Sequence, residues 1–280
     1  MCNQRMGRDL ESFGKPILIV GDPYQLKPVY GDGYYDLSNP DVPLTKIYRQ
    51  HEGSGILALA TAIREGRKIS RAELGPDVSI IKKSRLKPKQ TLRGLLWPDR
   101  IITATNDIRL EINGQILGAL GFGPYPAGNQ GEKLICLQNY ADAGLFNGTP
   151  VRLTGVARPK SGERWFTACI ERDDGGTTWT DCGEHKIYLG HFNATALGWT
   201  YRGAKHVRRI DDLHIDQHGP IELDWAFATT CHKAQGSEWE KVLIIDEGWP
   251  TNRADVQRWR YTAATRARSK LVIMDKWNLS

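Results

Sequence analysis

Apolar and polar positions along this chain fall into two textures. Up to about residue 130, and again after about 220, short unbroken apolar runs end in Gly, Asp or Asn and alternate with stretches whose apolar residues recur at helical spacing. Such runs read as strands of a parallel sheet covered on both faces, with polar groups collected at the strand ends. The first is Pro16-Ile-Leu-Ile-Val20, which follows a helix end at Gly14, runs into Gly21-Asp22-Pro23 and is expected to be a central strand. Arg100 to Thr105, Leu223 to Thr229, Lys241 to Ile245 and Lys270 to Met274 repeat the pattern. Ser54 to Gly66 combines a Ser start, helical spacing and a Gly stop, which predicts a helix. The segments IRLEINGQILGAL, after Asn106-Asp107, and Asp255 to Arg266 predict two more.

Between about Gly131 and Gly219 the pattern shortens to alternating runs, EKLICLQ, TPVRLTGV, RWFTACIE and HKIYLG, punctuated by Gly, Asp, Asn and Pro. That is the signature of a small β-rich module. The expected architecture is therefore an α/β fold with a parallel sheet, interrupted by an inserted small β-barrel. Its aromatic residues Trp165, Phe166, Trp179, Tyr188, Trp199 and Tyr201 are expected to form the barrel's core, with a base-stacking platform as the competing reading.

Composition adds bounds. With 280 residues, 40% apolar and 25% charged, the chain can bury one large or two ordinary cores. No apolar run approaches the ~20 residues of a membrane span, and the polar opening MCNQRMGRDLES has no signal-peptide core, so no membrane partner and a cytoplasmic location are expected. Five cysteines without a C-x-x-C pair fit a reducing compartment. Cys182 and His185 have ligand-like spacing but are one pair only, so no metal site is assigned within the chain. The net charge of +6 leans towards a polyanionic partner, and the stretches 82 to 93, with six basic and no acidic residues, and 200 to 209 concentrate it.

Four segments carry candidate chemistry. Gly21-Asp-Pro-Tyr-Gln-Leu-Lys-Pro-Val29 places a carboxylate and an amide at a strand end. Leu44-Thr-Lys-Ile-Tyr-Arg-Gln50 places Arg49 just before a helix, where a planar charged fork could meet a phosphate. Thr229-Thr-Cys-His-Lys-Ala-Gln-Gly-Ser-Glu238 is dense in hydrogen-bonding groups, and Tyr261-Thr-Ala-Ala-Thr-Arg-Ala-Arg268 reads as a helical run exposing Arg266. In this order the four segments resemble motifs III, IV, V and VI of superfamily 1 helicases, in the branch typified by the RecD subunit of bacterial exonuclease V and related phage helicases.

The resemblance implies a RecA-like fold and a set of roles. Residues 1 to 40 would end a first RecA-like domain, 41 to 130 and 220 to 280 would form the second, and 131 to 219 the inserted barrel. Gln25, beside Asp22, would contact the γ-phosphate of ATP. Arg49 and Arg266 would act as arginine fingers. Gly236 and Glu238 would border the nucleotide, and Thr230, His232 and Lys233 would face a single strand of DNA. Asp246-Glu247, which mimics a Mg²⁺-binding carboxylate pair, is instead expected to be the polar end of a buried strand.

No G-x-x-x-x-G-K-[ST] loop occurs, since Gly14-Lys15 is followed by Pro16 and preceded by Asp9 where the first Gly should stand. The phosphate loop and the Mg²⁺ ligands are thus expected outside this sequence. The implied activity is ATP-dependent, 5′ to 3′ unwinding of DNA by a longer protein, acting on single strands or single-strand/duplex junctions alongside repair, recombination or replication subunits. A single-strand-binding module without catalysis and an RNA helicase are the competing readings.

Overall fold

Val242, Leu243, Ile244 and Ile245 are each at most 2% exposed, as expected of a strand buried on both faces. In the computed structural model, which describes residues 2–27, 33–43, 53–70, 73–82, 88–157, 164–173, 179–189, 192, 220–248 and 253–274, they belong to the first of two compact units. That unit comprises Met1–Ser84 with Ala234–Ser280, and the second comprises Arg85–Lys233.

The first unit holds helices α1 (Gln4–Ser12), α2 (Gly55–Glu65) and α5 (Arg253–Ala264), and strands β1 (Val78–Ile81), β9 (Trp239–Ile245) and β10 (Ala267–Met274). β10 pairs in parallel with β1 on one side and β9 on the other, aligning Leu271 with both Val78 and Val242. α2 begins at its Ser54 cap and stops at Gly66, whose φ of 67° is the left-handed conformation that ends helices. It packs on α5, and Gln257 of α5 donates to the Ile63 and Arg64 carbonyls in the last turn of α2 at 2.6 and 3.0 Å.

The expected strand Pro16–Val20 does not form. These residues join no ladder, and Ile17, Leu18, Ile19 and Val20 are 40, 88, 39 and 73% exposed. An apolar strand buried on both faces needs neighbours on both edges and layers above and below. The described residues offer Pro16–Val20 neither, so the run stays bare.

The second unit contains α3 (Pro88–Leu96), β2 (Arg100–Thr103), α4 (Asn106–Leu120) and β3 to β8. β2 pairs in parallel with β8 (Ala228–Thr230), Ile101 opposite Ala228. The remaining strands, β3 (Leu134–Cys136), β4 (Pro150–Thr154), β5 (Trp165–Asp173), β6 (Trp179–Tyr188) and β7 (Leu223–Trp225), form an antiparallel sheet in the order β6-β5-β4-β3-β7. Alternate residues Val151, Leu153, Phe166, Ala168 and Ile170 fill its core with Phe192 and Trp225.

Leu223 to Thr229 is thus two strands in two sheets rather than one. The side chain of Asn113 on α4 explains the break: its amide donates to the Trp225 carbonyl at 3.2 Å and accepts from the Ala228 amide at 2.8 Å. Arg100, fully desolvated and with its pKa pushed down to about 10 by burial, binds the Ala226 carbonyl. Main-chain groups that would continue one ladder are satisfied by side chains, so the strand turns out of the sheet.

Candidate functional site

The Gly-Asp-Pro turn reads as a strand end in sequence, and in the structure it is fastened to a helix. Asp22 accepts from the Tyr24 amide at 3.0 Å and from the Gln25 side-chain amide at 3.2 Å. Its second oxygen also receives the Tyr261 hydroxyl, on α5, at 2.9 Å. Burial, then the neighbouring Asp22 charge and hydrogen bond, hold the Tyr261 pKa far above the usual phenol range, which keeps the hydroxyl a donor. One residue along the helix, Thr262 Oγ1 accepts from the Leu26 amide at 2.9 Å, while the Leu26 carbonyl accepts from Gln235 at 3.2 Å. Tyr24 meets Tyr261 edge-on, with ring centroids 6.1 Å apart, and Arg64 lies 5.6 Å from the Tyr24 ring centre. The Asp22–Leu26 turn is thereby bolted to α5 and to the Gln235 loop.

Gln25 is oriented by this network. One hydrogen of its amide group points at Asp22, which leaves the second available to an acceptor. Gly236 has a φ of 85° and open space where a Cβ would stand, so glycine is required there by conformation and not by crowding. Glu238 is exposed and 3.6 Å from Arg268.

Arg266 departs from the sequence expectation of an exposed helical arginine. α5 ends at Ala264, the chain turns, and Arg266 is 1% exposed. Its Nε donates to the Thr262 carbonyl at 3.0 Å, Nη1 to the Ser237 carbonyl at 3.1 Å and Nη2 to Thr265 Oγ1 at 3.1 Å. A cation at the helix's carboxyl end meets carbonyls that lack intrahelical partners and sits at the negative pole of the helix dipole, which favours the inward posture. Arg49 lies outside the described residues.

Asp246 behaves as the polar end of a buried strand. It is 1% exposed and paired with Arg260 Nε at 2.9 Å. The described residues contain no group of three or more His, Cys, Asp or Glu side chains able to hold a metal ion. His185 Nε2 contacts the main-chain oxygen of Cys182 at 2.7 Å, while the Cys182 thiol lies 3.6 Å from the Thr180 carbonyl oxygen.

In the second unit, Thr230 on β8 is 7% exposed, His232 is partly buried and Lys233 is exposed. Burial lowers the His232 pKa, which favours the neutral ring. The Lys233 ammonium lies close enough to protein to be desolvated, and this, with the adjacent Arg109 charge, lowers its pKa against the opposing pull of Asp224. Asp224 is 1% exposed and paired with Arg109. On the antiparallel sheet, Phe166 and Tyr188 are core residues as expected, but Trp165 and Trp179 are 39 and 36% exposed. Lys186 lies 5.5 Å from the Trp165 ring centre and Arg152 4.5 Å from that of Trp179. Trp199 and Tyr201 lie outside the described residues.

Tyr261, Thr262 and Gln235 are the functional groups that sequence reasoning passed over. The available signal was a Tyr and a Thr directly before the apolar pair Ala263-Ala264 at the helix end, positions where a buried polar group needs a partner.

Residues 225–274, which include Thr230 to Glu238 and Arg266, match the C-terminal domain of UvrD-like helicases. No curated protein matches the sequence. Among solved structures, the chain is similar to a Pif1 helicase from Candida albicans, with 16% identity, 92% of this chain and 63% of that one covered, and a TM-score of 0.53. A Bacteroides Pif1 helicase in complex with ADP-AlF3 and single-stranded DNA matches at 17% identity over 85% of this chain and 52% of that one, with a TM-score of 0.45. The chain therefore spans less than two thirds of either protein. The Candida albicans likeness gives the fold alone: α/β with a RecA-like parallel sheet.

Proposed function

We propose that this chain is the carboxyl-terminal portion of an ATP-dependent DNA helicase that moves 5′ to 3′ along a single strand. The observation that carries the reading is the seating of the Asp22–Leu26 turn on α5 and the Gln235 loop, which joins the segments resembling motifs III, V and VI. A turn that touches both ends of the candidate nucleotide site is placed to pass the state of one to the other. The match of residues 225–274 to a helicase C-terminal domain supports the same reading.

The residues fit one side of a nucleotide. Gln25 offers a pre-oriented amide, Gly236 an open main chain, and Gln235 Oε1, buried and without a hydrogen-bond partner among the described residues, an acceptor for a ribose hydroxyl or adenine amino group. They do not fit Mg²⁺, because Asp22 is already committed to Tyr261, Gln25 and the Tyr24 amide. Bound ATP would supply the phosphoryl group whose loss drives the cycle. Gln25 would sense the terminal phosphate, and Arg49 and Arg266 would neutralise charge on it. For Arg266 this means exchanging carbonyl partners for phosphate oxygens, a stronger acceptor for a guanidinium. Thr230, His232 and Lys233 would carry the DNA side.

Pro16–Val20 completes the reading, since its bare faces and edges suit a strand whose sheet is supplied by the segment bearing the phosphate loop and metal carboxylates. Joining this chain to such a segment should yield Mg²⁺-dependent ATP turnover stimulated by single strands, together with strand separation. Arg49→Ala should cut turnover roughly a thousandfold while ATP binding persists. Parent-rate hydrolysis by that variant would remove Arg49 from the mechanism, and a joined protein that binds DNA without turnover would favour the non-catalytic binding module.

A further inference from the structure

The basic stretch after β1 has no role in the site above. From Val78 to Pro98 the chain carries six Lys or Arg residues and no Asp or Glu. The flanking carboxylates are engaged elsewhere: Asp77 binds Ser54 and the start of α2, and Asp99 acts electrostatically on Arg100 and Lys133. Within the described part of this stretch, α3 turns Leu95, 4% exposed, inward. Lys89 and Arg93, four residues apart and so on one stripe of the helix, are both exposed, and neither forms an ion pair among the described residues. The chain leaves the helix at Trp97, 38% exposed, beside Leu96, 42% exposed. Two cations without an ion pair among the described residues thus stand on a helix whose end leads directly to a partly exposed indole.

A partly exposed aromatic ring one helical turn along the chain from the nearer of two such cations suits a ligand that brings both an anion and a flat apolar face. Unpaired nucleotides do so repeatedly: phosphates pair with cations, and bases stack on rings whatever their sequence. Duplex DNA offers the phosphates but keeps its bases stacked inside. We infer that the Lys89–Arg93–Trp97 face of α3 is a contact surface for single-stranded nucleic acid, with Lys89 and Arg93 on successive phosphates and a base on Trp97. The inference extends the proposed helicase reading to a surface outside its four motif-like segments, and it rests on that reading only for the identity of the strand.

The three residues separate by the kind of dependence each confers. Binding of fluorescent oligo(dT) and oligo(U) to the full chain is followed by anisotropy over a series of salt concentrations. Lys89→Ala with Arg93→Ala should make the slope of log K against log [salt] shallower by about 1.4, at about 0.7 per lost phosphate contact. Lys89→Arg with Arg93→Lys should restore it. Trp97→Ala should weaken binding roughly 5- to 150-fold at every salt concentration without changing the slope, and Trp97→Phe should recover most of the loss. Lys89 and Arg93 are exposed, so circular dichroism and melting of their variants should match the parent, and Trp97→Phe, which keeps a ring in place, separates lost stacking from lost packing. If these variants bind with parental slope and affinity while Lys233→Ala weakens binding, the α3 surface is refuted and the helicase reading stands. If the parent chain binds neither oligonucleotide, both fall.

Discussion

At Arg266 the guanidinium finds three oxygens of its own unit, the carbonyls of Thr262 and Ser237 and the hydroxyl of Thr265. Hydrogen bonds from a charged group contribute about 1.5 to 3 kcal/mol each, and deleting a buried one leaves its acceptors bare. Arg266→Ala should therefore lower the unfolding free energy by about 3 kcal/mol or more. Arg268, whose side chain is 52% exposed and pairs with Glu238 and Glu240, should cost under about 1 kcal/mol when replaced by Ala. Urea denaturation of both variants checks the contrast, and equal midpoints would mean the inward posture is not populated. Arg266→Lys should not rescue, because an ammonium cannot span acceptors that a planar fork reaches. Asp22, Gln25 and Arg266 were marked out in the sequence because they fall in ordered motif-like segments. Their partners were not, since Asp22 meets Tyr261 and Leu26 meets Thr262 more than two hundred positions along the chain, as the bonds with separations of 239 and 236 record.

Element boundaries were legible where local chemistry sets them. Ser54 and Gly66 bracket α2 in sequence as in structure, and the strands of the β-rich stretch show their alternation, whereas Thr105, read as the end of a strand, caps α4, which takes in Asn106 and Asp107. What binds one element to another was hidden. Asp77 accepts from Ser54 Oγ at 2.6 Å and from the Gly55 and Ile56 amides at 3.1 and 3.2 Å, while its carbonyl accepts from Leu271 of β10 at 2.8 Å. One carboxylate from the entry to β1 thus satisfies amides that α2 cannot pair internally. Gly55 allows that approach, since a Cβ there would lie 1.5 Å from the Leu74 carbonyl oxygen. Asp77→Ala should destabilise by about 1 to 2 kcal/mol. Because the side chain acts through charge as well as hydrogen bonding, Asp77→Asn should fall between the parent and the alanine variant in thermal melts. A silent Asp77→Ala would show that Ser54 alone caps the helix. The misread run Leu223–Thr229 follows the same logic, because Asn113, more than a hundred residues upstream, decides where one strand becomes two.

At the scale of the molecule, the sequence pattern carried the α/β class and its parallel strands but neither their order in the sheet nor the strand Val78–Ile81, and it predicted a central strand at Pro16–Val20 where the structure has a bare segment. The pattern encodes an environment buried on both faces; it does not say which polypeptide supplies it. That distinction governs activity. Phosphoryl transfer of this class requires a cradle of main-chain amides, a lysine and a metal ion held by carboxylates, and most of its rate comes from positioning the phosphates before any arginine acts. The sequence has no G-x-x-x-x-G-K-[ST] loop, and Asp22 is spent on internal bonds. The 280-residue chain by itself should consequently show no Mg²⁺-dependent ATP turnover above buffer, with or without oligonucleotide, even where anisotropy reports that it binds the strand. The decisive measurement is phosphate release across the chromatographic peak of the purified chain. Turnover that follows the protein peak and disappears in Gln25→Ala would overturn the expectation and place a complete phosphate site within this sequence. Turnover indifferent to Gln25→Ala would belong to a contaminant.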